Sequence, residues 1–502
     1  MKMKNPLAKT LSIMNKIRKY QYTGVALFIV SIAACKPIEV IQRTESKAVP
    51  TQFNSTADSS QNSGKLAWDA YFTDTNLQGL INQALQNNQE LNIILQEIAQ
   101  SRNEVTGKKG EYLPTVGAKV GAAVDKVSRY TNIGAMEATT DIVPGKEMPE
   151  PVFDLGVGIQ AQWETDIWGK LRNATKAQVQ RYLASIEGKN FMTTNLIAEI
   201  ANSYYELLAL DNELIVLNEN IKIQQNAYLV VNDLKQNARS NKLAVKRFEA
   251  QILNTQGLQY AIKQQIVETE NRINYLVGRF PQPVARDYNA FDTLIPPLVF
   301  TGIPADLLEN RPDIKQAAYE LAAAKLDIKS AKARFYPSLD LTAGLGFRAF
   351  DPTYLIKPEA YLANLVGELT APLINKRAIN AAYSNANARQ IQAVYNYEQK
   401  ILNAYIEVTN QLSKIQNLAS SVAIKTNEVN ALTESVGIAN DLFKYARADY
   451  MEVLLTQRDA LESKFDLVEK KVSQLKASVS IYKALGGGWD HKDLPPADLK
   501  NY

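Results

Sequence analysis

The sequence predicts a mainly α-helical, internally duplicated chain that gives four strands to a membrane β-barrel built from several copies. Three observations carry this. Two ungapped stretches of sequence recur in the same order. Two Pro-free runs, Val152 to Phe280 and Leu373 to Leu494, read as long helical regions far beyond the usual helix length. Four segments of about ten residues alternate apolar side chains with polar residues or Gly, the length of a tilted strand that crosses a bilayer.

The duplication is read by laying residues 89–116 over 312–339. Leu91 then meets Ile314, Ile98 meets Leu321, Val105 meets Ile328, Tyr112 meets Phe335 and Pro114 meets Pro337. Further on, 232–253 lies over 440–461, with Asn232-Asp233-Leu234 on Asn440-Asp441-Leu442 and Ala238-Arg239 on Ala446-Arg447. Each half therefore follows one order: helix, Pro, two strands, long helices.

The first helices are expected at 76–109 and 305–333, where Ala, Leu, Gln, Lys and Glu recur at helical spacing. In Asn310-Arg311-Pro312-Asp313, Asn is expected to cap the helix, with Pro and an acid in the first turn. That start signal accounts for Arg311, Pro312 and Asp313 without chemistry. Strands follow at about 115–125, 154–164, 338–350 and 360–371, with turn formers Pro144-Gly145, Pro149, Pro352 and Pro358 between paired strands. Ile159 and its like are expected on one face, Gln160 and its like on the other. The long helical regions, about 169–277 and 375–485, are each expected to break near the middle, at the duplicated Ala-Arg, into a hairpin of helices roughly 40–60 residues long. Their stripes of Ala, Leu and Tyr suit coiled-coil packing.

Composition removes other classes. The chain has 502 residues, 46% hydrophobic and 22% charged, with one Cys and one His. No His/Cys metal cluster, disulfide or redox pair can be built, and His491 lies beside no Ser or Cys motif. No catalytic residue, metal site or cofactor is expected, so the chain reads as a non-enzyme. The formal charge of +4 misleads, because six basic residues sit within 1–34, leaving 50 basic against 52 acidic beyond them. A nucleic-acid partner is not expected.

Residues 1–34 read as a signal segment: a basic stretch, then the apolar run Val25 to Ala34, too short to span a bilayer. The only Cys follows at once, in Ile32-Ala33-Ala34-Cys35. This resembles a bacterial lipobox, which implies lipid attachment at Cys35. Residues 35–65, rich in Ser, Thr, Gln and Asn, are expected to form a flexible tether. The first repeat is placed at 66–280, a linker at 281–304, the second repeat at 305–488 and a tail at 489–502.

Four strands cannot close a barrel, and open edges are not tolerated in lipid. Copies must pool their strands. Three would supply twelve strands and a ring of long helices, though strand number alone does not choose three over two or four.

The chain resembles the TolC-like outer-membrane efflux channel family over nearly all of 66–490. The resemblance rests on Leu307-Leu308-x-x-Arg311-Pro312-Asp313-Ile314 continuing to Phe335-Tyr336-Pro337, and on Trp163-x-x-Asp166-x-Trp168-Gly169-x-Leu171-Arg172. Tyr450-x-x-Val453-Leu454-x-x-Gln457, Leu276-Val277-Gly278 and Ala484-Leu485-Gly486-Gly487-Gly488-Trp489 complete it. It implies a homotrimeric, lipid-anchored conduit reaching from the outer membrane into the periplasm of a Gram-negative bacterium. A periplasmic adaptor (membrane fusion) protein and an inner-membrane resistance-nodulation-division transporter are the implied partners. A type I secretion exit channel and a periplasmic coiled-coil adaptor or scaffold are the alternatives. The resemblance also implies a ring of carboxylates, Asp449 and Glu452, at the closed periplasmic entrance, with Arg447, Arg239 and Lys242 as candidate latches. The plain alternative is that all five are solvated tip charges. The family's turn Gly is missing here, where the turns read Asn237 to Lys242 and Tyr445 to Tyr450. Trp163, Trp168 and Tyr112 suit an aromatic belt or a buried barrel–helix junction equally.

Overall fold

The computed structural model describes residues 37–53, 61–142, 144–289, 291–372, 374–445 and 447–489. The signal segment, Cys35 and the tail from 490 lie outside the described residues.

The first repeat contains α1 (Trp68–Tyr71), α2 (Thr75–Asn87), α3 (Gln89–Glu111), β1 (Thr115–Asp125), α4 (Asn132–Thr139), β2 (Val152–Thr165), α5 (Lys170–Gln236) and α6 (Lys242–Val277). The second contains α7 (Asp306–Asn310), α8 (Pro312–Ala333), β3 (Ser338–Ala349), β4 (Tyr361–Thr370), α9 (Arg377–Lys444) and α10 (Tyr450–Ala484). Two helices of the first repeat, α1 and the α4 of the loop between β1 and β2, have no α-helix in their place in the second.

The hairpins are unequal, not broken near their middles. Helices α5 and α9 have 67 and 68 residues, α6 and α10 have 36 and 35. At 1.5 Å per residue the long members reach roughly 100 Å, the short ones roughly 54 Å. The missing length is supplied from outside each hairpin. The end of α6 meets the start of α3, where Asn88 Nδ2 donates to the carbonyl oxygen of Leu276 at 2.8 Å. The end of α10 meets the start of α8, where Arg311 Nη1 donates to that of Ala484 at 3.0 Å. Each repeat thus holds one unbroken long helix and one assembled from two pieces. The sequence marks the tip break but not the splice, so equal arms were the natural expectation.

Helix α8 lies between α5 and α9, α3 packs on α5, and α10 joins the hairpins by packing on α5. The main core gathers Leu77, Ile81, Ile197, Ile200, Tyr204, Leu207, Ile273 and Val479 from four helices. Tyr204, fully buried, points its hydroxyl at Asp74 Oδ2 at 2.9 Å. The linker 281–304 is anchored on this core by Val284 and Phe291 and by Arg286. The buried Arg286 guanidinium bonds Asp211 on α5 and Glu270 on α6.

The segment expected to be a free tether is a strap over the part described, 37–53. Arg43 pairs with Glu398 at 2.8 Å and lies 4.0 Å from the Tyr395 ring centre. Glu45 pairs with Lys325 at 2.7 Å, and Phe53, buried, stacks on Tyr405. A polar composition suggested disorder. The reason it fails is specific: Arg43 and Glu45 meet opposite charges on α9 and α8, and Val40, Val49 and Phe53 fill apolar gaps. Likewise Trp489, assigned to the tail, is buried, and its Nε1 donates to the Asn310 carbonyl oxygen at 3.2 Å.

Candidate functional site

The four strands form one antiparallel sheet in the order β1-β2-β3-β4, so β1 and β4 each have an unpaired edge. Register separates two faces. Ala118, Ile159, Leu345 and Ala363 form one cross-strand row, and Val120, Val157, Phe347 and Tyr361 form another. Alternating with these rows, on the opposite face, run Gly117, Gln160, Gly344 and Asn364, and Lys119, Gly158, Gly346 and Leu362. One face is a continuous apolar band; the other is polar and Gly-rich, as the period-two pattern requires. Gly158 and Gly346 stand opposite each other. A Cβ on either would come within 2.5 Å of a carbonyl oxygen of the other strand, so no larger residue fits without moving the backbone.

The polar face carries charges that the sequence reading did not single out. Arg348 on β3 pairs with Asp154 on β2 toward the loop end of the sheet. At the helix end, Glu164, Asp340 and Glu368 lie side by side on three strands. Like charges opposite one another are unfavourable. Lys170 offsets one of them, 2.5 Å from Glu164, and the Ser338 hydroxyl donates to Asp340 at 3.2 Å. Alternation alone identifies a polar face. It takes register to show that these three carboxylates share a row.

The sheet joins the helices through the motif around Trp163 and Trp168. Trp163 Nε1 donates to the Tyr112 carbonyl oxygen at 3.0 Å, and Trp168 Nε1 to that of Pro337 at 2.7 Å. The Trp168 ring stacks on Tyr336, 4.8 Å between centres, and both Trp residues remain partly exposed. Gly169, at φ +73°, makes the turn into α5. Having no side chain, it cannot cap the helix. The Asp166 carboxylate does so instead, accepting from the Leu171 and Arg172 amides at 3.0 and 2.8 Å. The motif is a corner in which each residue has a mechanical task.

Arg311, Pro312 and Asp313 start α8, but not through Asn310. Asn310 closes the one-turn α7, and Arg311 stands at the cap position with Pro312 behind it. The Arg311 guanidinium forks onto Asp313 at 3.0 and 2.8 Å and reaches Glu407 at 2.7 Å as well as Ala484. It ties α8, α9 and α10 at one point. The repeat alignment, continued by one residue, sets Arg311 over Asn88, and in the structure both residues splice a broken helix.

At the far end, the two hairpin tips pack together through Val231, Val245, Phe248, Phe443 and Val453. The turns match. Arg239 donates its amide to Leu234 at 2.7 Å, and Arg447 to Leu442 at 2.8 Å. Ala238 takes φ +56° where Gly is usual. Asn241 caps α6 through the Ala244 amide at 2.9 Å, whereas its repeat counterpart Asp449 makes no such bond to α10. Arg239, Lys242, Arg447, Asp449 and Glu452 are all exposed at this end. Among the described residues, none of the five has an ion pair within the chain. The candidate latches and carboxylates share a neighbourhood but are not joined.

No group of His, Cys, Asp and Glu among the described residues is arranged to hold a metal ion. No helix among them is long and apolar enough to cross a membrane.

This arrangement, two strand pairs on two spliced helix hairpins, is matched by the profile described as outer membrane efflux protein over residues 80–279 and 303–487. The chain belongs to that family. Among curated relatives, the cation efflux system protein CusC of Escherichia coli K12 is 27% identical over 448 residues, covering 88% of this chain and 93% of CusC. The pyoverdine export outer membrane protein OpmQ of Pseudomonas aeruginosa is 26% identical, covering 84% and 87%. The probable outer membrane lipoprotein SilC of Salmonella typhimurium is 24% identical, covering 91% and 96%. A crystal structure of CusC superposes with a TM-score of 0.78 at 25% identity, over 90% of this chain and 99% of CusC. The efflux family consists of channel proteins of the outer membrane. As a member, this chain is the outer-membrane exit duct of a tripartite efflux system, and its polar strand face and helix hairpins are the parts of a conduit.

Proposed function

We propose that three copies of this chain form the duct, anchored to the outer membrane through a lipid on Cys35. The duct receives cargo from a periplasmic adaptor and an inner-membrane transporter of the resistance-nodulation-division type. The carrying observation is the open sheet: β1 and β4 have no partner on their outer edges, while one face is a band of apolar side chains. Such edges are too costly in lipid and must be paired by other copies. Four strands per chain make twelve for three copies, and the polar Gly-rich face then lines the lumen. A β1-to-β4 contact between copies is head to tail, which closes into a ring.

The strap supports the anchor. Its partners descend along α9 as its own numbers fall: Phe53 on Tyr405, Ser46 on Glu398, Arg43 on Gln390, Ile41 on Asn387. Residues 41–53 thus run toward the start of α9, the end of that helix that follows β4. Charges at the tips are the candidate entrance, with Asp449 and Glu452 ringing it and Arg447, Arg239 and Lys242 facing them from neighbouring hairpins.

Native mass spectrometry of detergent-extracted protein tests the assembly, with a lipidated trimer expected. A monomeric species, or an unmodified Cys35, would defeat the corresponding part of the proposal. Co-purification with the adaptor, lost on deleting the tip turns but not the loops between strands, tests the partner.

A further inference from the structure

We propose that the exposed apolar face of α4 and its flanks in one copy packs on the β3–β4 loop of the next. The loops would then form a continuous collar around the outer mouth of the duct. This rests on the closure of the sheet by other copies proposed above. The loop 126–151 continues directly from β1, and the loop 350–360 runs directly into β4. Within one chain, β1 and β4 are separated by β2 and β3, three strand spacings or roughly 14 Å. Across a β1–β4 seam they are one spacing apart, about 4.8 Å. The outgoing leg of the first loop therefore stands beside the second loop of the neighbour, not beside its own.

Side chains agree with that placement. Tyr130, Ile133 and Met136 on the outgoing leg are exposed, Tyr130 completely, and Ile356 in the second loop is 87% exposed. The loop is nevertheless firmly built. Thr131 caps α4 at Gly134, and Arg129 pairs with Glu150 at 3.1 Å and with Glu147 at 3.6 Å. Ile133 and Met136, three residues apart on α4, share one exposed face, the kind of apolar patch that marks an interaction surface. The returning leg runs into β2, which pairs with β3 in the sheet, so it stands on the side of its own chain's second loop. The Asp351 carboxyl is held below its ordinary range by hydrogen bonds from Thr353, with Lys146 of the returning leg contributing. Own loop to own loop on one side, and loop to neighbour's loop on the other, completes a ring.

The test is cysteine cross-linking in outer-membrane vesicles from cells expressing the full chain. Met136→Cys with Ile356→Cys should give covalent dimers and trimers with a short bismaleimide. Each single variant should stay monomeric on denaturing gels. Ile133→Cys with Ile356→Cys is the second pair should the first assemble poorly. A seam control joins Val120→Cys on β1 to Leu365→Cys on β4. Seam cross-links with only monomeric, internally linked loop pairs would overturn the collar and leave the closed barrel standing. Failure of the seam pair and of both loop pairs in chains that still reach the membrane would overturn the seam and the collar with it.

Discussion

Asn88 and Arg311 do the same work in the two repeats with different chemistry. Asn88 donates to the Leu276 carbonyl oxygen and Arg311 to that of Ala484, and the repeat alignment superposes both donors and both acceptors. Each joins the end of a short hairpin arm to a helix that begins elsewhere in the chain. The second splice carries more, because the Arg311 guanidinium also holds Asp313 and Glu407.

Arg311→Ala should therefore cost more than Asn88→Ala. The arginine change leaves the Asp313 carboxylate buried without its partner, a loss on the order of 3–5 kcal/mol. The asparagine change removes hydrogen bonds from a buried site, worth about 1–3 kcal/mol. Arg311→Lys should recover little, since one ammonium cannot fork onto Asp313 while reaching Ala484. Thermal unfolding of the detergent-extracted protein ranks the three. Equal losses from Arg311→Ala and Asn88→Ala would show that the extra contacts contribute nothing.

Ala238 gives a gain instead. It holds φ +56° at the first tip, a conformation that costs an L side chain about 1–2 kcal/mol. Ala238→Gly should relieve part of that, for a net stabilisation of up to about 1 kcal/mol, because Gly also loses entropy on folding. Ala238→Val should destabilise. Hydrogen exchange of the tip amides reads both changes locally, and slower exchange in the valine variant would contradict the strain argument.

The sheet faces yield a paired prediction. Ile159→Arg puts a charge on the apolar band, at roughly 2–4 kcal/mol near mid-membrane. Gln160→Arg points to the opposite face, between Gly117 and Gly344, and should be mild. Heat-resistant oligomer on gels measures assembly. Similar damage from both would mean that the faces are assigned the wrong way.

Legibility in the sequence followed physical range. Alternation in 155–163 and 339–349 revealed strands and their faces because a half-buried strand writes its environment every second residue. Long Pro-free runs revealed the helices. Splicing at Asn88 and Arg311 was not legible, since it joins residues 188 and 173 positions apart and leaves no local period. The strap was misread as a tether because Arg43, Glu45 and Phe53 look like solvated linker residues until Glu398, Lys325 and Tyr405 are beside them. At the tips, the sequence identified the charged residues, but ring geometry belongs to an assembly of chains.

Glu213 predicts a pH dependence. Burial, and then the Glu469 carboxylate facing it, push its carboxyl up from the ordinary 4.5 to about 7. The folded chain thus holds this proton more tightly than the unfolded chain. Its contribution to stability is complete below about pH 4.5 and is lost as pH rises through about 7. Glu213→Gln should flatten this part of the stability profile and raise the melting temperature at pH 8 more than at pH 5. A melting temperature gain that is the same at both values would show that Glu213 does not titrate in this window.

The entrance charges make the last prediction. Asp449 sits at the start of α10 without capping it, while its counterpart Asn241 caps α6. A carboxylate that declines the nearest helix end, with no cation paired to it among the described residues, is free to meet groups from other copies. Repeated around a threefold axis, Asp449 and Glu452 would bring six carboxylates together, which repel unless cations, Arg447 or protons neutralise them. A closed entrance held by such contacts opens when an adaptor binds the open form more tightly. Arg447→Ala should then raise single-channel conductance in planar bilayers several-fold. Asp449→Asn combined with Glu452→Gln should weaken block by multivalent cations added on the periplasmic side by about the same factor. These two measurements separate a gate from a solvated tip. If conductance and cation block both stay at the parent values, the constriction lies elsewhere along the helices, and these five charges serve only to keep the tips in water.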